Sequence, residues 1–74
     1  MFPVDEIQRL IQQGLPDAQV QVDGDGHHFE AVIVSPAFAG KSKLQRHQMV
    51  YKTLGTKMGN EIHALSLKTL APGE

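Results

Sequence analysis

The stretch from Val34 to Tyr51, VSPAFAGKSKLQRHQMVY, constrains the fold of this chain more than any other, because a strand end and a helix start lie within a few residues of each other. Pro36 disfavours helical geometry at Ser35 and supplies no backbone donor, so the apolar run before it must end there. Ser42, followed three residues later by Gln45, forms a capping-box pattern in which each side chain satisfies a free backbone donor of the first turn. A helix therefore starts at Ser42. From there Leu44, His47, Tyr51, Leu54 and Met58 recur at steps of three and four, a stripe expected to face the core.

The remaining elements arrange themselves around this one. Pro3 suits a first helical turn, Asp5 and Glu6 favour its positive end, and Val4, Ile7, Ile11 and Leu15 keep helical spacing, which predicts a helix over Pro3 to Gln13. Gly14, through a left-handed cap, and Pro16 are expected to stop it. Gln19 to Val22 alternates polar and apolar, Asp23-Gly24-Asp25-Gly26 is a turn cluster, and His28 to Val34 returns, so the two strands form a hairpin. Gly55 and Gly59-Asn60 are breakers that allow the second helical region to split in two. Ile62 to Thr69 reads as the last strand, with His63, Leu65 and Leu67 on one face and Ile62, Ala64 and Ser66 on the other. Ala71 to Glu74 is expected to fray. The order α-β-β-α-(α)-β predicts an α+β single domain over residues 1–74, with helices on one face of a three-stranded sheet, a core of about 5–69 and a flexible tail over 70–74.

Composition narrows the chemistry. The 74 residues include no cysteine, which excludes disulfides, a thiol nucleophile and any cluster held by this chain's own thiolates. A formal net charge of -1 gives no bulk attraction to nucleic acid or membranes, so such a partner must meet a local patch. No run approaches the ~18 apolar residues of a membrane span, and the start lacks the basic and apolar segments of a signal peptide. A cytoplasmic protein is expected, though a processed organellar one would share this composition.

The four histidines are the most informative polar residues. Neutral imidazole ligates iron, zinc and copper, and a pKa near ~6.5 also suits it to proton transfer. His27 and His28 are adjacent at a strand entry and point to opposite faces, so one of them joins any given site. His47, inside the helical stripe, is read as a structural residue that packs on the core and hydrogen-bonds. Lys41, Lys43, Arg46 and Lys57 flank the Gly40 turn and the central helix. They form either a solvated helix flank or a basic patch, and a helix start beside a Gly-Lys turn can hold a phosphate. No serine has a recognisable base and orienting partner, so an enzyme is not expected.

Three elements together resemble the BolA family. They are the strand and turn Val32 to Pro36 with Phe38-Ala39-Gly40-Lys41, Leu44-Gln45-Arg46-His47 and Val50-Tyr51; Ile62-His63-Ala64-Leu65 with Lys68-Thr69; and His28-Phe29-Glu30 after a Gly-rich loop. The likeness covers roughly Asp5 to Thr69 and implies a fold like the type II KH arrangement. It also implies that His28 and His63 are metal ligands, completing one iron of a two-iron, two-sulfur cluster whose other ligands come from a monothiol glutaredoxin and its glutathione. Asp25 stands where other members carry a cysteine, which places the chain with the His-type members. Such proteins act in iron–sulfur trafficking or iron and stress regulation, and are monomers or weak homodimers alone. The resemblance further implies a DNA-binding transcriptional regulator using Lys41, Lys43, Arg46 and Lys57, although many relatives read Arg-His-Arg where this chain has Gln48.

Overall fold

The computed structural model describes residues 2–74; Met1, where the expected domain begins, lies outside them. Helix α1 spans Val4–Gly14, strand β1 Gln19–Gly24, strand β2 His28–Val34, helix α2 Lys43–Leu54 and strand β3 Ala64–Leu70. Single 3-10 turns at Pro36–Phe38 and Gly55–Lys57 bracket α2. The expected split after α2 is thus one tight turn rather than a second α-helix. Gly55, with φ 56, caps α2 in a conformation that side-chain-bearing residues seldom adopt. No helix among the described residues is long and apolar enough to cross a membrane.

The sheet order is β1-β2-β3, with β1 antiparallel to β2 and β3 parallel to it. The hairpin turn reverses the chain, whereas the crossover through α2 returns it to the end of the sheet where β2 began, so β3 runs the same way as β2. Register places Val22, Ala31 and Leu67 in one row and Phe29 beside Leu65, all on the face covered by helices. Gln21, Val32 and Lys68 form a row on the open face. Helices on one face of a three-stranded sheet is the expected α+β architecture.

The core joins Ile7 and Ile11 of α1, Phe29, Ala31 and Ile33 of β2, and Val50 and Leu54 of α2, with Phe38 and Ile62 sealing the ends. Each such large side chain contributes about 1.5–3 kcal/mol on leaving water. Buried Ser35 is satisfied: its N–H donates to Leu70 O at 2.9 Å and its Oγ accepts from Ala37 N at 3.1 Å.

Four local expectations change. The buried line of α2 is Val50 and Leu54, whereas Leu44 is 67% exposed. At 3.6 residues per turn Leu44 lies about 80° round the helix from Leu54, on the side away from Val50. Ile62 is fully buried but precedes β3, bridging to Met58, so strand alternation does not govern Ile62 or exposed His63. Gly14 is the last residue of α1 and has no positive φ; its role is the approach of α2, since a Cβ there would meet Thr53 Cβ at 2.9 Å.

Ala71 to Glu74 is the fourth. Ala71 is buried, and Glu74 N–H donates to Ala71 O at 3.1 Å across Pro72 and Gly73, whose φ is 88. That is a type II turn, which favours proline at its second position and glycine at its third.

The helix contact yields a test. Gly14→Ala should destabilise the fold by about 1–3 kcal/mol, as overpacking does. Urea unfolding should show a lower midpoint at unchanged slope. Thr53→Ser in the same chain removes the facing methyl and should restore part of the loss.

Candidate functional site

The sheet carries its chemistry at two places. At one end the β1–β2 turn is shaped by Asp25, whose Oδ1 accepts the backbone N–H groups of both His27 and His28 at 2.8 Å. Those two donors hold the Asp25 carboxyl below the usual carboxylate range. His28 opens β2 and is in register with Ala64, the first residue of β3, so the parallel pairing sets His28 beside the segment that ends in His63. His27, His28, Glu61 and His63 line one shallow recess with Phe2, Gly26 and Ala64. The His28 side chain is 81% exposed, and its Nδ1 lies 3.8 Å from Asp25 Oδ2, an electrostatic neighbour rather than a hydrogen bond.

This recess brings together the two histidines singled out from the sequence and adds two groups. His27 joins because it sits in the turn, before the alternation of β2 begins. Glu61 joins through the turn before β3, which no linear pattern signalled. No three His, Cys, Asp or Glu side chains among the described residues are grouped closely enough to hold a metal ion. The recess therefore does not fit a closed structural site, which needs four ligands from one chain, and a metal there would need ligands from another molecule.

The second place is where the start of α2 meets β3. Ser42 and Gln45 form the expected capping box, with Ser42 N to Gln45 Oε1 at 2.9 Å and Gln45 N to Ser42 Oγ at 3.1 Å. Lys41, Lys43, Arg46, His47 and Lys68 line a recess there with Leu67 and Thr69. Lys68, on the strand that follows α2, was not tied to this cluster by any spacing. Lys57 does not belong to it: it lies in the 3-10 turn after α2 and pairs with Glu61 at 3.5 Å, toward the histidine end.

Arg46 is not a free cation. Its Nη1 and Nη2 donate to the two carboxylate oxygens of Glu74 at 2.6 and 2.8 Å, its Nε donates to Lys41 O at 3.0 Å, and its guanidinium sits 5.9 Å from the centre of the Phe38 ring. The Arg46 side chain is 12% exposed. Pro72-Gly73 was the sequence signal for the turn that returns Glu74 to it. His47 packs edge-on against Tyr51, with centroids 6.4 Å apart, but its buried Nε2 has no hydrogen-bond partner, contrary to the expected bonded imidazole. The helical stripe predicted burial of the ring and carried no information on an acceptor.

Fold and surface define a small α+β protein with a histidine-lined recess at one place on the sheet and a separate basic recess at another. The chain belongs to the BolA family: the family model described as BolA-like protein matches residues 8–74. It is 39% identical to the acid stress protein IbaG of Escherichia coli K12 over 70 residues, which cover 93% of this chain and 83% of that one. It is 44% identical to the DNA-binding transcriptional regulator BolA of the same organism over 46 residues, 62% of this chain and 44% of that protein's length. A solved BolA homologue from Coxiella burnetii superposes with a TM-score of 0.86 at 48% identity, covering 97% of this chain and 94% of that one.

The Arg46–Glu74 pair makes the acid behaviour testable. Arg46 and the Ala71 N–H draw the Glu74 carboxyl from 4.5 to about 2. A carboxyl whose pKa is lower in the folded state stabilises the fold above its unfolded pKa and loses that contribution as pH falls through the folded value. The wild-type chain should therefore lose more stability between pH 5 and 2 than Glu74→Gln, measured by urea unfolding at each pH. Parallel curves would contradict the pairing.

Proposed function

We propose that this protein is an accessory protein that partners a monothiol glutaredoxin and shares with it a two-iron, two-sulfur cluster, as a step in cluster trafficking or iron sensing. The observation that carries this reading is that His28 and His63 line one accessible recess, with no group of three or more ligating side chains among the described residues. The two imidazoles would complete one iron, while thiolates from the partner and its glutathione complete the rest. Imidazole in place of thiolate raises the potential of such a cluster. Asp25 supports the site by fixing the backbone at His27 and His28 through two hydrogen bonds. On this reading the chain is a monomer or weak homodimer alone, works in the cytoplasm and performs no catalysis of its own.

Titrating the chain into cluster-loaded monothiol glutaredoxin, followed by visible absorption and circular dichroism, tests the reading. The spectrum should change and saturate at a one-to-one ratio. The His28→Ala, His63→Ala double variant should keep its far-ultraviolet spectrum and lose that change. His27→Ala separates the two neighbouring imidazoles: it should leave the titration intact if His28 is the ligand. An unchanged spectrum with the wild-type chain, or full retention in the double variant, would overturn the proposal.

A second reading draws on the basic recess. Lys41, Lys43 and Lys68 line it, Lys68 from the edge strand β3, and none of them has a carboxylate partner among the described residues. Similar proteins are named DNA-binding transcriptional regulators. Nucleic-acid phosphates are the complementary partner, and each neutralised phosphate releases counterions. Binding of a duplex fragment should weaken steeply with salt, and Lys43→Ala should reduce the log–log slope by about 1. Binding that ignores salt, or none at about 50 mM salt, would exclude this reading.

A further inference from the structure

Arg46 stands at the rim of the basic recess and is already bound to an anion of its own chain. Glu74 approaches it through two parallel N–H to oxygen bonds, the geometry with which a guanidinium also holds two oxygens of a phosphate. The carboxylate is carried by the type II turn at Pro72-Gly73, and its other partner is the Ala71 N–H, 2.9 Å from Oε1. The Glu74 side chain is 44% exposed, whereas Arg46 is nearly covered. Glu74 can therefore leave into water by rotating its own side chain, and its departure uncovers the guanidinium. Arg46 is held in place without it, by Lys41 O, Thr69 O and the Phe38 ring.

We propose that Glu74 is an internal competitor for a nucleic-acid phosphate at Arg46, so that the basic recess binds with its three lysines first and recruits Arg46 only when a phosphodiester displaces the carboxylate. The inference rests on the second reading above and adds its regulation. Conditions or partners that draw the Ala71 to Glu74 turn away from Arg46 would then strengthen nucleic-acid binding without touching the recess itself.

The test is fluorescence anisotropy with a labelled DNA duplex across a salt series. Glu74→Gln keeps an oxygen acceptor for Ala71 while removing the charge. Glu30→Gln removes an equal charge from the open face of β2, outside the recess, and serves as the control. Glu74→Gln should bind roughly two- to fivefold more tightly than wild type, the factor corresponding to one exposed ion pair. Its salt slope should steepen by about 0.9. The gain should exceed that of Glu30→Gln and vanish when Arg46→Gln is also present. Wild-type binding with no greater gain for Glu74→Gln than for Glu30→Gln, or a gain that survives Arg46→Gln, would overturn the competition and leave the nucleic-acid reading standing. Absence of binding by wild type and Glu74→Gln alike would overturn both.

Discussion

The parallel pairing of β2 with β3 is the constraint on which the rest of this structure depends. It demands a crossover, the crossover is α2, and α2 with α1 then covers one face of the sheet. The same pairing decides what the two ends can do. Because His28 aligns with Ala64, the start of β2 and the start of β3 coincide, and His28, the first residue of β2, comes to the same end of the sheet as His63, the residue before β3. Because Val34 aligns with Leu70, the exits also coincide, and the Ser35-Pro36 turn that launches α2 is bonded to Leu70 through Ser35.

Arg46 is the corresponding anchor at the exit end. One side chain reaches the loop before α2 at Lys41, the end of β3 at Thr69, the ring of Phe38 and the turn that carries Glu74. A guanidinium is suited to this task because its five donors lie in one fixed plane. The consequence is that the residue most exposed to a functional reading from sequence is also a structural tie, and its charge is neutralised within the chain. The lysines around it, which lack such partners, remain available to an external anion.

What could be read from the sequence divides by range. The capping box at Ser42 and Gln45, the strand end at Ser35-Pro36 and the hairpin around Asp25 are decided by neighbours three or four residues apart; the first two stand as expected, and the hairpin does so with a tighter turn, because Asp23 and Gly24 pair within β1. The BolA resemblance was equally legible, since its motifs are local strings. The buried side of α2 was less so: apolar residues occupy both the Leu44–Tyr51 flank and the Val50–Leu54 line, and only the position of the sheet chooses between them. Gly14 reads as a cap in the sequence because spacing cannot reveal that Thr53 approaches it. Lys68 and Lys57 exchanged places relative to the basic cluster for the same reason, one brought in by the parallel register and the other turned away after Gly55. Ala71 to Glu74 reads as a frayed tail; the turn at Pro72-Gly73 forms there instead, and Glu74 finds Arg46 only in the folded chain.

The central claim is that the two ends of the sheet serve different partners, with iron–sulfur sharing confined to the histidine end. Backbone amide NMR of the isotope-labelled chain during addition of cluster-loaded monothiol glutaredoxin tests it most directly. The account predicts shifted or broadened signals over residues 25–28 and 61–64, with Lys41, Lys43 and Lys68 unaffected. Perturbation centred on residues 41–46 and Lys68, with the histidine end silent, would contradict it.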